Sequence, residues 1–111
     1  DFEVRASQPA RMEEKKDAEA LTLIFYPNNK LIWYENEKYP NLRLVNFSIE
    51  KLEEILKETG RERLLLKIHE QASPATMKAV FSYLDAKEIT NFDFEPIELR
   101  EKDIIAQLLK N

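Results

Sequence analysis

The sequence predicts an α+β domain, a two-layer sandwich of a small mixed β-sheet with two crossover helices on one face, ordered β-β-α-β-α-β, plus a C-terminal helix. Three observations carry this prediction. Two short apolar runs flank a turn-forming tetrad, a nearly continuous apolar run of strand length lies in mid-chain, and apolar stripes of helical period stand on either side of it.

Leu21 to Tyr26 (LTLIFY) and Leu31 to Tyr34 (LIWY) are apolar on both alternating faces, and Pro27-Asn28-Asn29-Lys30 between them predicts a β-hairpin. Glu37 to Asn41 is looser and carries Tyr39-Pro40; Leu42 to Val45 can add a short edge strand. The period then changes from two to 3.6. Ser48 suits an N-cap, Ile49, Leu52, Ile55 and Leu56 share one helical stripe, and Gly60 follows as a stop. Leu64 to Ile68 (LLLKI) reads as a strand buried on both sides. Ser73-Pro74 marks the second helix, whose stripe is Met77, Val80, Phe81 and Leu84. Ile89 to Glu95 alternates as the last strand, with Phe92 and Phe94 on one face and Asp93 and Glu95 on the wetter side, where they suit salt bridges; Pro96 ends it. From Glu98 to Lys110, Leu99, Ile105, Leu108 and Leu109 predict an amphipathic helix. The sheet face opposite the crossover helices then needs a cover, which this helix, a second subunit or a partner would supply.

The 111 residues, 43% of them apolar, suit a single domain. Ser7 to Glu19 is polar and without a core-forming period, so residues 1–19 are read as a flexible linker and residues 20–111 as the folded domain. The single glycine leaves turns to Pro, Asn and Asp. A formal charge of −4 argues against nucleic-acid binding, which needs a basic face. Without cysteine there is no disulfide framework and no thiolate metal site. No apolar run approaches the roughly 20 residues of a spanning helix.

No nucleophile elbow, HExxH, P-loop or GxGxxG pattern is present. His69, the one histidine, closes the mid-chain strand without a nucleophile or metal partner, and reads as a polar strand end rather than a catalytic base. Glu13-Glu14 and Glu53-Glu54 are interleaved with lysine and read as solvated faces. No catalytic, cofactor-binding or metal-ligating residue is therefore assigned, and the chain is expected not to be an enzyme. Trp33 and Tyr34 send one ring to each sheet face. One is expected in the core, with Trp33 preferred, and the other at the surface or an interface. Phe2-Glu3-Val4-Arg5 is a short alternating segment able to add to an exposed sheet edge. The residues expected to meet partners are Phe2, Val4, Trp33, Tyr34, Phe92 and Phe94.

From Leu21 to about Ile97 the chain resembles the periplasmic domain of the ExbD/TolR family. The resemblance rests on NKLIWYE, LRLVNFSIEKLEEIL, LLLKIHE, SPATMKAVFSYLDAKEI and TNFDFEPIE in this order and spacing. It implies a periplasm-facing domain at the inner membrane, tethered by a membrane helix that this chain does not contain. It also implies a homodimer inside an ExbB/TolQ-like channel protein, coupling proton flow to a TonB-like transducer that powers outer-membrane transport. A TolR-like module that binds peptidoglycan or a peptide is the alternative. Residues 1–19 resemble the family's linker, with Arg5 where a proline is usual.

Overall fold

A computed structural model describes residues 18–110. Its elements are β1 (Leu21–Tyr26), β2 (Lys30–Glu35), a 3-10 turn (Asn36–Lys38), β3 (Arg43–Asn46), α1 (Ile49–Thr59), β4 (Leu64–Ile68), α2 (Pro74–Ala86), β5 (Phe92–Phe94) and α3 (Leu99–Lys110). The strands form one mixed sheet in the order β3-β2-β1-β4-β5. β1 is antiparallel to β2, and β2 to β3; β4 is parallel to both β1 and β5. The α+β sandwich expected from the pattern is the fold observed. Both crossover helices lie on one face, and α3 covers part of the other.

The hairpin turn places Asn28 and Asn29 at φ 63° and 61°, a left-handed conformation that asparagine tolerates better than any residue but glycine. Strand alternation then sorts the side chains. Leu21, Leu23, Phe25, Leu31, Trp33, Leu64 and Leu66 face α1 and α2, which bury Leu52 and Ile55, and Met77, Val80 and Leu84, against them. Ile24, Ile32 and Tyr34 face the other way and pack with Leu42 and Ile105. β4 lies between β1 and β5, so its reading as an interior strand holds.

The helix ends follow the sequence signals. Ser48 Oγ accepts from the Lys51 N–H at 3.0 Å, and Gly60, at φ 62°, donates its N–H to Leu56 O at 3.0 Å. α2 ends without glycine. Glu88 takes the left-handed position at φ 57°, its N–H bonds Asp85 O at 3.0 Å, and the Ile89 N–H bonds Leu84 O at 2.9 Å. This six-to-one closure folds Ile89 back onto the core as the seal of the helix. It also shortens the last strand, expected over Ile89 to Glu95, to Phe92–Phe94. The two left-handed caps give opposite expectations. Gly60→Ala should cost about 1 kcal/mol from backbone strain alone, because no atom lies within 4 Å of the added carbon. Glu88→Gly should gain about 0.5 to 1 kcal/mol by relieving the same strain at an exposed position. Urea denaturation checks the opposite signs.

Two helical stripes differ from expectation. Phe81 is 38% exposed, and Met77, Val80 and Leu84 carry the buried face of α2. In α3, Leu99 is 75% exposed and Leu109 is also exposed, whereas Glu101, Ile105 and half-buried Ile104 and Leu108 face the sheet. A carboxylate, not a leucine, leads that stripe.

Candidate functional site

Two places merit attention, an apolar patch at the β5 edge and a buried polar cluster beneath α3. β5 pairs only with β4, so among the described residues its outer edge meets no strand. Phe94 is 56% exposed, and Phe81 and Ile68 beside it are also exposed. The rings of Phe81 and Phe92 stand edge-on to Phe94, at centroid distances of 5.8 and 5.7 Å. Leu66, Ile68, Phe94, Glu95 and Pro96 line a shallow groove of about 300 Å³ next to it. On the opposite side of this strand, Asp93 pairs with Arg63 at 2.7 Å, as a residue on the wetter face should. The arrangement offers main-chain donors and acceptors beside an apolar pocket, the chemistry of strand addition.

The partner-binding residues expected from sequence separate here. Phe92 and Phe94 are at this patch, with Phe92 half-buried and Phe94 open. Phe2 and Val4, like residues 1–17 of the linker, lie outside the described residues. Trp33 and Tyr34 are both buried, which corrects the expectation that one of them reaches the surface. The reason is that each sheet face has its own cover. Trp33 lies in the core beneath α1 and α2 with the Arg43 guanidinium 5.0 Å from its ring centroid, and Tyr34 lies beneath α3. His69 belongs to neither place; its Nδ1 accepts from the Gln71 N–H at 3.0 Å and its ring packs on Tyr26.

The polar cluster was not anticipated from the sequence. Lys67, on β4, shares its sheet face with Ile24 and Tyr34, and only 2% of it is exposed. Its Nζ donates to Glu101 Oε1 and Oε2 at 2.8 and 2.9 Å. Tyr34 Oη donates to Glu101 Oε2 at 2.5 Å, and the Glu98 N–H donates to Oε1 at 2.8 Å. Glu101, with none of its surface exposed, therefore accepts four hydrogen bonds, which satisfy a carboxylate that burial would otherwise penalise heavily. Glu98 lies 3.7 Å from Lys67 at the rim. With both charged groups shut in, the cluster ties β2 and β4 to α3 and is out of reach of a solute while α3 is seated. One signal pointed to it: a lysine at the fourth position of LLLKI, in a strand expected to be buried on both sides, demands a buried anion.

Burial above all, and then the hydrogen bond to Glu101, push the Tyr34 phenol well above its ordinary value of 10.0. Tyr26 is raised too, by burial and then by the Glu101 charge. Because the folded pKa of Tyr34 exceeds the unfolded one, its contribution is complete below about pH 10 and is lost as pH rises toward the folded value. Stability should therefore fall above pH 10, and Tyr34→Phe should remove part of that slope. Urea titrations between pH 8 and 11 check this, and an identical slope in both proteins would refute it.

A second polar group closes the far end of the sheet. Arg61 Nη2 donates to Glu35 at 2.5 Å and to Glu37, and Nη1 to Glu19 O at 3.3 Å, pinning the end of β2 and the 3-10 turn to the α1–β4 connection. The guanidinium holds the Glu35 carboxyl below its ordinary range, so this contribution is present at neutral pH and lost as pH falls through the lowered value.

Set against protein-family models, curated proteins and solved structures, the chain has no significant match in any of the three. Among the described residues, no helix is long and apolar enough to cross a membrane. Fold and surface together define the class: an α+β domain with an apolar strand edge that is unpaired among the described residues.

Proposed function

We propose that the chain is a non-enzymatic interaction domain of the ExbD/TolR type. In this reading it faces the periplasm from the inner membrane, dimerises within an ExbB/TolQ-like channel protein, and passes the effect of proton flow to a TonB-like transducer. The observation that carries the reading is the β5 edge, unpaired among the described residues, with exposed Phe94 against Phe81, placed within the TNFDFEPIE segment on which the family resemblance partly rests. An edge that pairs with extended peptide and an apolar groove that grips one of its side chains transmit force without chemistry. The proton-carrying group of such a machine belongs to the membrane helix, outside this chain.

The test is a titration of the isotopically labelled chain with a synthetic peptide from the periplasmic segment of a TonB-like protein and, separately, with purified peptidoglycan fragments. Amide shifts centred on Phe92, Asp93 and Phe94 with the peptide support the reading, and Phe94→Ser should abolish them. Binding to glycan alone would move the assignment to a TolR-like wall-binding module, and binding to neither would remove the family reading.

A further inference from the structure

The layer beneath α1 and α2 is complete without α3. Its buried members come from β1, β2, β4, α1 and α2, and α3 contributes none of them. α3 fully buries a single apolar residue, Ile105, whereas α2 buries Met77, Val80 and Leu84. The link from β5 to α3 is short and carries Pro96, and α3 crosses the sheet to reach β3 at the opposite edge from the one where it started. It is held there by Ile105 with half-buried Ile104 and Leu108, and its one polar attachment to the sheet face is Glu101, set on Lys67 and Tyr34.

A buried ion pair makes this attachment both specific and reversible. Seating α3 strips water from two charges, and their mutual attraction repays that loss only in part; opening restores the hydration of both at once. If one charge is deleted, the other is buried unpaired in the closed form, and the balance shifts to the open one. The groups facing Glu101 are Lys67 on β4, Tyr34 on β2, Glu98 at the head of α3, and Tyr26 on β1, whose phenol feels its charge. Lys67 is the one cation among them, so among the described residues no other side chain takes its place.

We propose that α3 is a strap over the second face of the sheet, latched by Glu101 on Lys67, which opens and closes as a unit while the sheet and the α1/α2 layer stay folded. Opening bares Ile24, Ile32 and Tyr34 around the Lys67 ammonium. The inference is independent of what meets the β5 edge.

Native-state hydrogen exchange on the full chain tests it. The amides of Ile104 to Leu108 are expected to exchange at least about tenfold faster than those of β1 and β4, through an opening that leaves the strands protected. Glu101→Gln should accelerate the α3 amides by roughly a hundredfold or more, with β1 and β4 unchanged. Lys67→Met combined with Glu101→Leu should bring α3 exchange back to the wild-type rate or below. In Glu101→Gln the alkaline absorbance titration of Tyr34 should also move down toward the ordinary phenol range, as expected for a ring released to water. Equal exchange of α3 and the strands in the wild type, or an equal acceleration of both in Glu101→Gln, would overturn the proposal, because α3 would then be part of one cooperative unit. α3 rates unchanged by Glu101→Gln would overturn the latch, and a Glu101→Gln chain unable to fold would show that the sheet cannot stand without it.

Discussion

Glu101→Ala is expected to remove about 3–5 kcal/mol from the free energy that seats α3, the usual cost of leaving a buried charge without its partner. The size follows from the surroundings of Lys67. Its ammonium is almost wholly buried and donates to both Glu101 oxygens, and the other carboxylate within reach, that of Glu98, sits at 3.7 Å and is mostly exposed. In urea denaturation followed by circular dichroism, the loss appears in full if α3 and the sheet unfold together. If α3 opens first, the loss is capped at the seating energy, and the denaturant slope falls because less surface remains to be exposed. Lys67→Met with Glu101→Leu is expected to recover the wild-type midpoint or exceed it, since apolar pairs of similar volume often replace buried ion pairs at no net cost. A Glu101→Ala loss under about 1 kcal/mol with an unchanged slope would mean that the pair contributes little to holding the helix.

What the sequence shows well is structure set by neighbours in the chain. The hairpin follows from Pro27-Asn28-Asn29-Lys30, α1 from Ser48 and Gly60 around a clean stripe, and the interior position of β4 from LLLKI. What it shows poorly depends on partners distant in the chain. Glu101 reads as a solvent-facing residue in any local window, and only the presence of Lys67, 34 residues earlier and across the layer, reverses that reading. The same fact rotates α3, so that Leu99 and Leu109 turn outward although their spacing suited a core. Tyr34 is hidden for the same reason, because a strand's alternation tells which face a ring takes but not whether that face is covered. At the candidate edge, Phe92 and Phe94 were legible from alternation, whereas Phe81 required knowing that its side of α2 overhangs β5 rather than β4.

Phe25 and Phe81 make the final contrast, since each is a phenylalanine on a face that the sequence pattern marks as apolar. Phe25→Ala is expected to destabilise the domain by about 3–5 kcal/mol, the range for emptying a large aromatic site that cannot collapse. The ring is 1% exposed, sits on the central strand between β2 and β4, and meets Phe47 edge-on at 6.1 Å, so the surrounding strands prevent relaxation into the void. Phe81→Ala should cost only about 1 kcal/mol, because its ring leaves no closed cavity and what it loses is one edge-on contact with Phe94 and part of its covered area. Urea denaturation of the two variants side by side measures the difference. A Phe81→Ala loss near that of Phe25→Ala would place the ring in the core and remove it from the proposed binding patch. A small loss together with weakened binding of the transducer peptide separates the two roles of a surface aromatic, since a ring that contributes little to the fold and much to a partner is one whose exposed area is used.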